Sequence, residues 1–314
     1  MAETITEWQA RQYSDNVNYV YDGLRGKSVD SLVMGEMIHS PVQGVLDSFN
    51  PVSNGVARDK VDRYEDTVWS ELAKSRRWCR PYKTYMALPL DTFDQARSAV
   101  SNINGVHTTQ IAKALRNREF IRFFAAAVGT AITGENAAGT SALPSAQGIA
   151  LGTTPSDVLT LTKVKSASAL FDLNGVPADP SVRHWGYAPG QKSAILAITQ
   201  AASSDFTKNR IYDKGNIDGD MWMGFTWHMF ADVRGQDDAS GLSTLERILP
   251  ISTTTRTNIA WSTDAIGISR ISGVRTRLSE LPDKTYTWQA YGEIDVNMVR
   301  VLDGGVVSIL CLEE

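Results

Sequence analysis

The sequence predicts an α+β fold. One long stretch near residues 103–132 has helical hydrophobic spacing, and apolar and polar residues alternate through the C-terminal region, 258–314. Between them, shorter helical and strand signals follow one another, so neither an all-helical nor an all-strand architecture accommodates the chain.

Residues 1–32 carry Trp8, Tyr13, Tyr19 and Tyr21 among polar residues and end in DGLRGKS. A segment of this kind buries little on itself and is expected to be an arm that gains order by lying on something else. Residues 33–90 hold short apolar stretches between turn signals, NPVSNG being the clearest, and close on the basic, aromatic run KSRRWCRPYKTYMALPL. Such a long excursion without a compact core of its own is expected to be functional or to pack on a partner.

The third segment, 91–153, contains the long helix. Asp94 offers an N-terminal cap, and Val106, Ile111, Ala114, Leu115, Ile121, Phe124, Ala125 and Val128 recur with helical spacing. Thirty helical residues would span about 45 Å. Gly105 weakens the start, and the Gly-, Pro- and Ser-rich TGENAAGTSALPSAQG ends the pattern.

In the fourth segment, 154–257, Thr154 is placed to cap a helix and Pro155 to open it. Val158, Leu161, Val164, Ala167, Leu170 and Phe171 form its apolar face before Asn174 and Gly175 stop it. HWGYAP predicts a short strand and a turn, and a further helix is expected from about Gln191 to Gln200. Asp213 to Phe230 has the carboxylates of a calcium loop without its spacing. Counted from Asn216, Met221 stands where Gly is required and Trp227 where Glu is required. The better reading has Gly215 and Gly219 supplying turns, with Met221, Met223, Phe225, Trp227 and Met229 alternating onto one face of a strand. The last segment, 258–314, opens with NIAWSTDAIGISRI and ends in two alternating strands expected to form a hairpin at Asp303-Gly304.

Acidic side chains outnumber basic ones by 35 to 31, so there is no bulk positive charge to neutralise the phosphates of a duplex. Cys79 and Cys311, the two cysteines, lie far apart without metal-ligand spacing and are expected to be buried packing residues. The polar, acidic start lacks the basic patch and apolar run of a signal peptide, and no stretch is apolar enough to span a membrane; a cytoplasmic protein is expected.

Convergent chemistry is hard to find. GTSAL at 139–143 approaches a nucleophile elbow at Ser141 but lacks the second glycine and follows a helix instead of a strand. The four histidines, His39, His107, His184 and His228, lack metal-ligand spacing, and there is no phosphate-binding glycine loop. No catalytic residue, metal or cofactor is expected. One cluster remains: Arg76, Arg77, Arg80, Lys74 and Lys83 interleaved with Trp78, Tyr82 and Tyr85. These residues suit a single-strand nucleic-acid groove. They equally suit a protein interface, which the acidic balance favours, with Asp59, Asp62, Glu65, Asp66 and Glu71 of a neighbouring copy as counter-charges.

The ordered segments SRRWCRPYKTYMALPLDTFDQAR, HTTQIAKALRNREFIRFFAAAVGTAITGENAAGT, LPSAQGIAL, TLTKVKSASALFDLNGVPAD, KGNIDGDMWMGFTWHMF and VRVLDGGVVSILCLEE together resemble the major capsid proteins of tailed bacteriophages, which share the Hong Kong 97-like fold. The resemblance spans essentially the whole chain. It implies an N-terminal arm (1–32), an extended loop reaching over the adjacent subunit (33–90), a peripheral domain with a spine helix (91–153), an axial domain (154–257) and a β-rich segment completing the sheets (258–314). It further implies hexamers and pentamers of an icosahedral head assembled in the host cytoplasm. Scaffolding, portal and decoration proteins are then candidate partners, packaged double-stranded DNA is touched only weakly, and no membrane is involved. Trp8, Tyr13, Asp62, Glu65, Asp66, Arg76, Arg77, Trp78, Arg80 and Tyr82 are the candidates for contact between subunits. A nucleic-acid-binding protein using residues 74–85 and a serine hydrolase using Ser141 are the competing readings, and a cargo-holding nanocompartment is a variant of the shell.

Overall fold

The structure is a computed structural model describing residues 13–17, 29–37, 47–49, 51, 57–59, 66, 69, 75–90, 103–134, 136–152, 157–198, 217–237, 243–252, 254–282 and 287–313. Trp8, Asp62, Glu65, Asp94, Thr154, Pro155 and residues 213–216, singled out above, lie outside these.

Helix α1, Ile103–Val128, is the long helix, 26 residues and so about 39 Å long. It lies on a four-stranded sheet whose order is β1 (Met34–Met37), β15 (Ile266–Leu281), β16 (Thr287–Arg300) and β4 (Tyr82–Leu90). The long β15–β16 hairpin is antiparallel throughout, and β4 pairs with β16 from Leu90 opposite Trp288 to Tyr82 opposite Val296. Ala290, Ile294, Val296 and Met298 face the helix and pack with its Ile111, Leu115, Phe120, Phe123 and Phe124. Gly292 permits the close approach: a Cβ there would lie 2.5 Å from Ile111 Cγ2.

A second sheet runs β7 (Gly148–Ile149), β17 (Val306–Leu312), β14 (Thr255–Ser262), β8 (Arg183–Tyr187), β10 (Phe225–Met229) and β9 (Met221–Trp222), with β13 (Ile251–Ser252) also on β14. Trp261 and Ile259 on one face join the α1 core. The other face carries Trp185, Phe225, Trp227 and Ile309, covered by Val164, Ala167 and Phe171 of helix α2, Leu161–Leu173. The helix α3, Gly190–Leu196, follows β8. β2 (Asp47–Phe49), β3 (Arg77–Cys79), β5 (Ala131–Thr133) and β6 (Gly139–Ser141) form a small sheet, and β11 (Val233–Asp237) with β12 (Ser243–Glu246) a two-stranded ribbon.

Several expectations are corrected. Helix α2 starts at Leu161, capped by Thr160, whose hydroxyl accepts from the Lys163 N–H at 3.4 Å. Residues 157–160 stay out of the helix because distant partners hold them. The Leu312 N–H donates to Asp157 O, and the Leu159 N–H donates to the Gln191 side chain. The run from Met221 is not one strand. Met223 (φ 53°) and Gly224 (φ 80°) make a two-residue turn between Trp222 and Phe225, leaving Met221 and Met223 at the surface while Trp222 is buried. Gly219, at φ 80°, does supply a turn, and the Asp218 carboxylate accepts from the Met229 N–H at 2.8 Å. The strands flanking Asp303-Gly304 form no hairpin either: β16 belongs to the first sheet and β17 to the second, so the turn is a corner between sheets.

The described parts of the arm are seated on the body of their own chain. Tyr13, Val17, Val29, Leu32 and Val33 are buried in the α1 core, the Trp261 indole donates to Leu32 O at 3.0 Å, and Arg270 pairs with Asp30. The expectation of an arm ordered only elsewhere does not hold for these residues, because their apolar side chains are spaced to fill the gap between α1 and β14.

Candidate functional site

The basic aromatic run divides into a buried strand, β3, and an exposed continuation through Arg80 and the start of β4. Trp78 is buried, its indole donating to Gly134 O at 2.6 Å. Arg77 is buried as well and donates to Asp303 at 2.7 Å. Both belong to the interior of their own chain, as does Tyr13, and this corrects their expected place on a surface between subunits. Strand β3 lies between β2 and β5, so its side chains meet partners brought in by distant segments. Arg76 stacks over Trp78, its Cζ 5.4 Å from the ring centroid.

Arg80 and Tyr82 behave differently. Both are exposed, and Arg80 lies over the Tyr82 ring with its Cζ 5.9 Å from the centroid. From α1, Arg122 approaches the same ring at 5.6 Å and donates to Tyr82 O at 2.6 Å. Arg118 stands one helical turn before Arg122, and burial together with this like charge pushes the Arg122 pKa below the ordinary arginine value. Spacing within the run could not reveal Arg118 and Arg122 as members of the cluster, because they come from another element. Exposed cations on the expected solvent face of the helix were the only available signal.

Beneath the surface, Arg77, Arg300, Asp303 and Ser141 form a hub. The Asp303 carboxylate accepts from Arg77 and, at 2.7 Å, from Arg300 Nε, and the Ser141 hydroxyl donates to it at 3.4 Å. Both guanidiniums already engage the Asp303 oxygens, and β6 carries Ser141 in a sheet instead of a strained turn. Among the described residues no three His, Cys, Asp or Glu side chains gather as a metal site would require.

His184 and His228 come together on the parallel strands β8 and β10, with His184 Nδ1 and His228 Nε2 3.1 Å apart and the Trp261 ring against both. Desolvation pushes His184 down from 6.5 to about 4, so it is neutral in the folded chain at neutral pH. The unfolded chain takes up this proton below its ordinary pKa, whereas the folded chain resists. Stability is therefore full above pH 6.5 and is expected to fall by up to about 3 kcal/mol as the pH drops to about 4. Urea unfolding at pH 7 and pH 5 checks this, with His184→Gln expected to flatten the dependence.

A sequence model described as phage capsid protein matches residues 5–313. The chain belongs to the phage capsid protein family. No curated protein matches the sequence. Solved structures do match this capsid protein. The capsid structure of the cyanophage P-SCSP1u aligns at a TM-score of 0.60 with 13% identity, over 91% of this chain and 88% of that one. A chain from Mycobacterium phage Che8 aligns at 0.56 with 13% identity, over 95% and 90%. The capsid of Ralstonia phage GP4 aligns at 0.54 with 14% identity, over 92% and 89%. The fold is thus the Hong Kong 97-like capsid fold, and the capsid protein is a structural, shell-forming, homo-oligomeric component of the virion.

Proposed function

We propose that this capsid protein assembles in the host cytoplasm into hexamers and pentamers of an icosahedral head around double-stranded DNA, acting as wall material and not as a catalyst. One observation carries the reading. Among the described residues between β2 and β3, Ala57, Arg58, Asp59, Asp66 and Trp69 are exposed, Trp69 at 89%. An indole so placed costs free energy in water and is recovered when a partner covers it. In this reading residues 33–90 contribute the loop that reaches an adjacent subunit, 91–153 and 258–314 a peripheral domain, and 154–257 an axial domain. Arg80, Tyr82, Asp62, Glu65, Asp66 and Trp8 remain contact candidates, and scaffolding, portal and decoration proteins remain partners to be sought.

The loop closes at its base, where the Ser75 N–H donates to Pro51 O at 3.1 Å, so it can be excised with little strain. Replacing residues 52–74 with a short Gly-Ser linker is expected to leave the unfolding temperature of the free subunit unchanged and to abolish particle formation, as read by sedimentation. Undiminished particle yield from the excised protein would remove the loop from the assembly.

A further inference from the structure

Lys163 of α2 turns inward, and its ammonium pairs with Asp157 at 2.8 Å, both side chains being more than nine-tenths buried. It also donates to Leu310 O at 2.7 Å and Asp157 O at 3.4 Å. Its fourth neighbour is a sulfur: Cys311 Sγ of β17 lies 3.8 Å from Lys163 Nζ and is fully buried. Arg256 of β14 stands opposite Cys311 and Asn258 opposite Ile309, so Asn258 is the diagonal neighbour of Cys311 on the face that α2 covers. Asn258 is fully buried as well. Its amide addresses the same sulfur, and among the described residues Nδ2 and Oδ1 have no other hydrogen-bond partner. Packing accounts for a buried cysteine. It does not account for an amine and an unsatisfied amide converging on its sulfur, since an unpaired amide in the interior is costly. Burial pushes the thiol pKa up, so the sulfur is a poor nucleophile toward peroxide from the solvent, and dioxygen, small and apolar, is the oxidant the site admits.

We propose that Lys163 and Cys311 form a modification site, joined by reaction with dioxygen through one oxygen atom into an Nζ–O–Sγ bridge. A proton passes from Lys163 Nζ to Asp157 Oδ2 across their contact, freeing the amine lone pair. The O–O bond breaks. One oxygen atom bonds to Nζ and Sγ, and the other leaves as water with the thiol hydrogen and one amine hydrogen. Nitrogen and sulfur give up two electrons each, and dioxygen takes all four. The bridging oxygen then offers the Asn258 amide N–H the acceptor it lacks. The bridge joins residues 148 apart in sequence and so restrains the unfolded chain strongly. It goes beyond the shell reading and does not depend on it. On that reading, a subunit made in a reducing cytoplasm acquires this lock only after release into air.

The test compares purified full-length protein held in thiol-free, air-saturated buffer with a sample held under argon. Both are digested without reductant and mapped by mass spectrometry. The peptides of Lys163 and Cys311 are expected to be linked in air alone, at their summed mass plus one oxygen less two hydrogens, and to separate on treatment with dithiothreitol. The air-treated protein is expected to unfold about 5–10 °C higher than the argon sample. Lys163→Arg, which keeps a cation for Asp157, and Cys311→Ser are each expected to abolish both the link and the shift. The wild-type peptide map decides the matter even if a variant does not fold. Separate, unmodified peptides after air exposure would overturn the bridge, as would a link without oxygen, oxidation confined to Cys79, or an ammonia-releasing link between Lys163 and Asn258. Each of these results concerns the single subunit and leaves the shell reading standing, whereas failure to form particles leaves the bridge standing.

Discussion

Arg300→Met is expected to destabilise the folded subunit by about 3–5 kcal/mol, the range found when one partner of a buried ion pair is removed. Arg300 is fully buried, and its guanidinium ties three parts of the chain to one point. Its Nε donates to Asp303 in the corner between sheets. One terminal nitrogen donates to Ala127 O at 2.9 Å and Gly129 O at 2.6 Å, and the other to Ser141 O at 3.0 Å. The first two carbonyls are among those that the end of α1 leaves without helical partners, so the cation also meets the negative end of the helix dipole. Methionine fills much of the volume and supplies none of the donors. Three carbonyls lose a donor in the interior, and Asp303 is left to Arg77 and Ser141 alone. Differential scanning calorimetry should show a fall of about 5–10 °C. A fall smaller than about 1 °C would mean that the corner holds without its guanidinium.

Trp261→Ala is expected to cost about as much, roughly 3–5 kcal/mol, through the cavity it leaves. The ring is fully buried and meets Phe123 at 5.1 Å and Phe124 at 5.7 Å, both edge-on, and His184 at 5.7 Å. Its N–H holds Leu32 O. The substitution therefore loosens α1 from the second sheet and the segment 29–37 from both. Limited proteolysis is expected to cut near residues 29–37 in the variant at a protease dose the parent resists. Phenylalanine at 261 would keep most of the packing and lose the indole hydrogen bond, and is expected to cost about 1–2 kcal/mol less than alanine.

What the sequence revealed and what it withheld follow from the range of the interactions involved. Helix α1 was legible because Ile111, Leu115 and Phe124 must share a face to be buried, and that requirement is local. The start of α2 was not legible. Thr154-Pro155 carries the stronger cap signal, yet the backbone at 157–160 is claimed by Leu312 and Gln191, far along the chain. Asp303-Gly304 likewise looks like a hairpin from its neighbours, and only the guanidiniums of Arg77 and Arg300 converging on Asp303 turn it into a corner. At the candidate site, Arg80 and Tyr82 were readable from their own segment. Arg118 and Arg122 join them only through the packing of α1 against β4, and Arg77 and Trp78 leave the surface because β3 is an inner strand.

A shell-forming protein requires that copies of this chain find one another and enclose a volume. Negative-stain electron microscopy of the purified full-length protein, concentrated at neutral pH and low salt, tests it most directly. Closed shells of uniform diameter are expected. A field of single subunits that persists at every concentration, with Trp69 fluorescence still that of a solvated indole, would contradict the claim.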